Sequence, residues 1–387
     1  MNIKRIRWIA IIWVVVLVLL ASGCGAGSAP ASTPTPAATP IPTKTPSPTA
    51  TATPLAGSLN AVKIESVALA KNLIGEGTER TIFVYLPPDY NTSTKRYPVV
   101  YFLPGFGDQS MVATAEEISK SVLGGAIQGM IIVVAPGGNR LGGSFYVNSP
   151  VTGNWEDFIV QEVVGYVDAH YRTLARAESR GISGHSMGGF GALNIAMLHP
   201  DEFGAVYSLS PGLFDENGLA NSQMFSSEGS AQRFLDGEKA VLAKPQDLQL
   251  QSALSMPDYF STAYGLAFAP DPQNPPFYLD YPYRESNGQL VRDDVVWKRW
   301  ESGFGGIHEE VLKYKDNFRK LKGIVVDYGT NDQYAWIPQG CIYFDQQLTA
   351  AGIPHEMAAH DGNHQSQLGT RVLEHMLPFF SGLLAGE

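Results

Sequence analysis

Two cysteines in 387 residues, Cys24 and Cys341, are too few for a disulfide framework. Stability therefore has to come from buried apolar surface. Charge is sparse too: Asp, Glu, Lys and Arg make up 17% of the chain, with 37 acids against 27 bases and a formal net charge of −10. The bases do not cluster beyond the extreme N-terminus, so the electrostatic footprint of a nucleic-acid binder is missing. There is no phosphate-cradling glycine loop and no nicotinamide or flavin fingerprint, and no cofactor is expected. The run Trp8 to Leu20 is too short for a comfortable membrane span. What is abundant is the material of a large core with many turns: 44% hydrophobic residues, 40 glycines and 26 prolines.

The N-terminus reads as a targeting segment. Lys4, Arg5 and Arg7 precede the apolar run, which makes residues 1–23 a signal peptide. The run ends in Leu20-Ala21-Ser22-Gly23-Cys24, which resembles the lipobox of bacterial lipoproteins, with Ala21 where that motif usually has leucine. Lipidation at Cys24 would anchor an exported protein to a membrane at the cell surface or in the periplasm. An ordinary signal peptide cleaved nearby would leave it secreted. Residues 24–57 are almost wholly Ala, Thr, Pro, Ser and Gly. They have nothing bulky to bury and are expected to be a disordered, polyproline-rich stalk.

From residue 58 to 387, runs rich in Val, Ile, Tyr and Phe alternate with helical patterns. The runs at 81–87, 97–105, 129–138, 178–186, 203–212 and 323–332 read as strands. The stretches 154–173, 187–200 and 337–352 read as helices, and the last makes Cys341 a buried, inert thiol. Such alternation implies an α/β fold with a mostly parallel sheet covered on both faces. The runs around VKIESVALA and TIFVYLP are separated only by a turn and are expected to pair as an antiparallel edge hairpin. Residues 213–322 follow the sixth predicted strand and are too long for a connection. This aromatic- and proline-rich insertion is either a cap over the sheet edge, a lid lining a cleft, or both.

Gly184-His185-Ser186-Met187-Gly188 fits G-x-S-x-G between a strand and a helix, the setting of a nucleophile elbow. A serine hydroxyl needs a base and an acid behind it, which on such a sheet follow in the order Ser, Asp, His. Asp332, at the end of GIVVDYGTND, is the expected acid. Its rival Asp327 lies inside the strand run and is given a structural role. His364 in HDGNHQSQ is the expected base, with His360 as runner-up, and His185 is expected to pack under the elbow. His360 and His364 have the four-residue spacing of a metal pair only on a helix, and Gly362-Asn363 argue against helix there, so no metal is expected. Oxyanion donors are expected from the amides of Met187 and, in LPGFGDQS (103–110), Phe106.

These motifs resemble the esterase D family of α/β-hydrolases, which includes S-formylglutathione hydrolases, feruloyl and siderophore esterases, and mycolyl acyltransferases. The likeness runs from about Val62 to the C-terminus through VYLPPDY, YPVVYFLPG, SFYVNSP, EDFIVQEVVGYVDAHYRT with Trp155, GHSMGGFGALNIAMLHPDEFGAVYSLSPG, GTND and GNH. It departs at Pro104, where many members have His, and at Asn363, where a second Gly is common. The resemblance implies an α/β-hydrolase fold and puts the nucleophile, acid and base on Ser186, Asp332 and His364. The expected activity is cleavage of a small-molecule or carbohydrate-linked ester through an acyl-enzyme. Transfer to a sugar or lipid hydroxyl and non-catalytic ligand binding are the alternatives. Tyr146, Trp155, Tyr264, Phe277, Tyr281 and Trp297 are the aromatic candidates for substrate contact.

Overall fold

Strands buried on both faces organise the fold, with alternating burial confined to the edge. The computed structural model describes residues 56–108 and 113–386. The predicted signal peptide, Cys24 and all but the end of the predicted stalk lie outside these residues, as do positions 109–112, the first two of which belong to the predicted oxyanion loop. Eight strands form one sheet: β1 Ser58–Glu65, β2 Glu79–Leu86, β3 Val99–Leu103, β4 Ile131–Val134, β5 Arg180–His185, β6 Ala205–Leu209, β7 Gly323–Gly329 and β8 Glu356–His360. Their order across the sheet is β1-β2-β4-β3-β5-β6-β7-β8. β1 and β2 form an antiparallel edge hairpin, β2 meets β4 antiparallel, and every later pairing is parallel. The antiparallel start and mostly parallel body agree with the sequence reading, and the architecture is that of an α/β-hydrolase.

Successive side chains of a strand point to opposite faces, and both faces are covered. In β3, Val99, Tyr101 and Leu103 join one apolar cluster while Val100 and Phe102 join the other. The larger cluster takes in the helix Met187–Leu198 and the helical stretch that begins at Trp155. The smaller is closed by Ile118 of the helix Ala115–Leu123 and by Val372, Met376, Leu377 and Phe380 near the C-terminus. The pattern 154–173 reads as one helix, but it contains a π-helical stretch, Phe158–Val163, between Trp155–Asp157 and Val164–His170.

The insertion is built mainly of helices, among them Ser230–Leu242, Tyr259–Phe268, Asp294–Phe304 and Ile307–Phe318. Its Phe214, Met224, Phe234, Tyr264 and Trp300 belong to the same apolar cluster as Ile182 and Val206 of the sheet. Much of the insertion therefore extends the core. Only Gln223, Pro257–Phe260 and Phe304 of the insertion border the cavity over Ser186.

Candidate active site

At the end of β5 the chain turns so sharply that Ser186 adopts φ 57°, ψ −115°, a strained conformation for a residue with a side chain. The turn is possible because the positions two before and two after it have no side chains. A Cβ on Gly184 would lie 2.2 Å from the carbonyl oxygen of Gly188, and one on Gly188 would lie 1.8 Å from that of Leu103. The elbow is pinned to β6 by the Ser186 amide, which donates to the Leu209 carbonyl at 2.9 Å, and its own carbonyl accepts from Phe190 and Gly212. The serine hydroxyl is thereby held at the C-terminal edge of the sheet.

Two loops at the same edge meet it. Asp332 follows β7 and His364 follows β8, with 8% and 6% exposure. His364 Nδ1 lies 2.6 Å from Asp332 Oδ2, and His364 Nε2 lies 2.9 Å from Ser186 Oγ. A carboxylate only accepts, so the imidazole proton sits on Nδ1 and leaves the Nε2 lone pair for the serine proton. The other Asp332 oxygen accepts from the Tyr334 amide at 2.8 Å, and the Tyr334 ring packs edge-on against His364 with centroids 5.1 Å apart. His185 is buried under the elbow, its Nε2 2.7 Å from the His364 carbonyl oxygen.

Asp327 and His360 are elsewhere. Asp327 is fully buried, accepts from Tyr207 Oη at 2.5 Å and from the Arg371 guanidinium at 2.7 Å, and has His360 Nε2 at 3.7 Å. Burial, with the Asp327 charge second, pushes the Tyr207 phenol well above its usual range. Burial likewise pushes the Cys341 thiol up, which suits an inert side chain.

The predicted oxyanion donors border the same cavity, and a second loop braces them. A Cβ on Gly142 would strike the Phe106 ring, and one on Gly143 would strike Met187 Sδ at 2.3 Å. The Phe145 amide donates to Met187 Sδ at 3.3 Å. Phe145 and Tyr146 both have positive φ, 56° and 57°, which turns the tyrosine inward. Its hydroxyl donates to the Pro104 carbonyl at 3.0 Å and accepts from the Gly137 amide at 2.9 Å. Neither the Phe106 nor the Met187 amide has an acceptor among the described residues.

The cavity holds about 570 Å³ and is lined by six aromatic rings: Phe106, Tyr259, Phe260, Phe304, Tyr334 and Trp336. None of the sequence-predicted substrate-contact residues lines it. Tyr146 directs its hydroxyl to the Pro104 carbonyl in the predicted oxyanion loop. Trp155 is fully buried and donates to the Thr152 carbonyl. Tyr264 is fully buried between the Trp300 carbonyl and the Phe304 amide, Phe277 is in the core, and Tyr281 stacks on Phe234 at 3.9 Å. Trp297 packs on Phe225 and under Arg292. Tyr264 and Phe277 are buried within the insertion, and Tyr281 and Trp297 are packed against its other rings. Sequence reasoning missed Tyr334 and Trp336, whose signal was their place two and four residues beyond Asp332. Gln223, Asp258 and Asp108 add polar groups, and among the described residues no Lys or Arg lines the cavity.

A family model described as "Putative esterase" matches residues 75–368. Over 133 residues the chain is 34% identical to Esterase Rv1288 and Esterase MT1326 of two Mycobacterium tuberculosis strains, covering 33% of this chain. The alignment spans only 28% of those relatives' length. Among solved structures, a ferulic acid esterase aligns over 86% of this chain and all of its own, at 22% identity and TM-score 0.55. An S-formylglutathione hydrolase from Agrobacterium tumefaciens aligns over 86% and 98%, at 16% identity and TM-score 0.54. At these identities the shared property is the fold, an α/β-hydrolase. With the family match running from before β2, through the Ser186 elbow, as far as the loop of His364, the chain belongs to this "Putative esterase" family.

Proposed function

We propose that the protein is a serine esterase with Ser186, His364 and Asp332 as its catalytic residues. Ser186 Oγ attacks the ester carbonyl carbon while His364 Nε2 takes its proton, and Asp332 orients the imidazole and stabilises the imidazolium. The amides of Met187 and Phe106 receive the oxyanion. The tetrahedral intermediate expels the alcohol, which His364 protonates, and water then cleaves the acyl-enzyme with the same histidine as base. The observation that carries this reading is the continuous pair of hydrogen bonds, 2.6 Å and 2.9 Å, that ends on a strained serine hydroxyl in a 570 Å³ cavity.

The lining favours an uncharged ester with a flat or sugar-ring face. Rings supply stacking surfaces, while the acids Asp108 and Asp258 in the lining disfavour a carboxylate-bearing substrate. Wild type should hydrolyse neutral aryl and feruloyl esters faster than an otherwise matched ester bearing a carboxylate. Ser186→Ala should lose at least about a thousandfold in kcat on all of them. Equal turnover by wild type and Ser186→Ala would refute the assignment.

We further infer that the enzyme works at a membrane surface, tethered through Cys24 and held off by the Pro/Thr-rich stalk. The basic start, the apolar run and the lipobox-like Leu20–Cys24 support this. Cys24→Ala expressed in a bacterium should move the protein from the membrane fraction to the soluble one. An unchanged distribution would argue against the anchor.

A further inference from the structure

Two histidines meet beneath the cavity, and one of them has no part in the scheme above. His185 immediately precedes the nucleophile and is 5% exposed, with its ring centroid 4.7 Å from that of His364. Its Nε2 lies 2.7 Å from the backbone carbonyl oxygen of His364, 179 positions away in the chain. A carbonyl oxygen can only accept, so His185 Nε2 carries a proton. Burial, the largest cause, then the nearby His364, pushes the His185 imidazole down to about 4, and the ring is neutral near pH 7.

This contact joins two pieces of chain whose separation decides whether the serine can pass its proton. One is the end of β5, which carries the elbow. The other is the loop after β8, which carries the base. That loop is tied to the loop after β7 by the Asn331 amide donating to the Gly362 carbonyl at 3.0 Å and by Asn331 Nδ2 donating to the Asp361 carbonyl at 2.6 Å. Both ties stop short of residue 364. At His364 itself the backbone is held by its amide, which donates to Gln333 Oε1 at a long 3.4 Å, and by the short bond from His185. Asp332 fixes the ring, but among the described residues only His185 ties the backbone of His364 directly to the strand that carries Ser186.

We propose that His185 is a positioning residue: its Nε2–H fixes the His364 carbonyl and so sets the approach of His364 Nε2 to Ser186 Oγ. This rests on the serine-esterase reading and adds to it a role for the residue before the nucleophile. What matters is a neutral donor placed where histidine Nε2 sits. Glutamine puts an amide N–H at about that reach, whereas asparagine puts one at the position of Nδ1 and falls short of the carbonyl.

The test uses the full chain carrying His185→Gln or His185→Asn, with hydrolysis of p-nitrophenyl acetate followed against pH and thermal unfolding recorded beside it. A displacement of about 1 Å in a catalytic group costs on the order of a hundredfold. The Asn variant should therefore lose about 10- to 100-fold in kcat with KM little changed, and the Gln variant should stay within about threefold of wild type. Equal activities for the two folded variants, whether both high or both low, would overturn the proposal. A measurement without substitution guards against a variant that does not fold: the ¹⁵N shifts of the wild-type His185 ring at neutral pH should report a proton on Nε2 and none on Nδ1, and the opposite tautomer or a charged ring would also overturn it. Ser186→Ala run in parallel separates the two claims. If it is inactive while His185→Asn is fully active, only the positioning role falls; if it is active, the esterase reading falls as well.

Discussion

Two aspartate–histidine pairs hang from the same two strands, and only one of them meets the Ser186 hydroxyl. Asp327 lies within β7 and His360 ends β8, while Asp332 and His364 lie in the loops that follow. In the outer pair the contact is 2.6 Å, and the far imidazole nitrogen meets the Ser186 hydroxyl. In the inner pair the contact is 3.7 Å, the carboxylate is claimed by Arg371 and Tyr207, and His360 Nδ1 accepts from the Gly362 amide at 3.0 Å. The residue types are the same. What differs is what stands at the second nitrogen, an acidifiable hydroxyl in one case and a backbone N–H in the other. The inner pair braces the loop that carries the outer one.

Removing one carboxylate charge from each pair sharpens the contrast most. Asp332→Asn, which disturbs the imidazole tautomer, should reduce kcat by about ten-thousandfold while the fold persists. Asp327→Asn should do the reverse. It leaves the largely buried Arg371 guanidinium without its counter-charge, at a cost of about 3–5 kcal/mol in unfolding free energy. At temperatures where that variant remains folded, its kcat should stay within about threefold of wild type. The comparison breaks if Asp327→Asn loses activity as severely as Asp332→Asn with an unchanged unfolding midpoint.

A smaller effect should appear in pH. The native state holds His185 neutral, with its value lowered from 6.5 to about 4, so between those limits the unfolded chain binds a proton that the native chain does not. Its contribution is fully present above about pH 6.5 and is lost as pH falls towards 4, up to roughly 3 kcal/mol in all. Replacing His185 by Gln should flatten the fall in urea midpoint across that window. Parallel slopes for the two proteins would mean that His185 is not held neutral.

Much of this was readable from the chain because the restrictions are local. Gly184 and Gly188 crowd against backbone within a few residues of Ser186 or on the neighbouring strand, so the elbow has a short sequence signature. Asp332 and His364 stand just past strand-like runs, and an edge of a parallel sheet gathers such positions. The cleft walls were not readable. Whether an aromatic ring packs or greets substrate depends on how the insertion folds back. Tyr146 turns inward because two consecutive residues take positive φ, and Tyr264 is enclosed by Trp300 and Phe304 from a helix some forty positions on. Tyr259 and Phe260 reach the cavity because Asp258 caps their helix at that point, accepting from the Ser261 amide at 3.1 Å. None of this follows from hydrophobic period alone.

The most direct test of the central claim is to inactivate the protein with a fluorophosphonate and locate the adduct by peptide mass spectrometry. Stoichiometric modification of Ser186, rising in parallel with loss of ester hydrolysis, is the predicted result. Complete inactivation with the adduct on another residue, or hydrolysis that continues while Ser186 is fully modified, would contradict it.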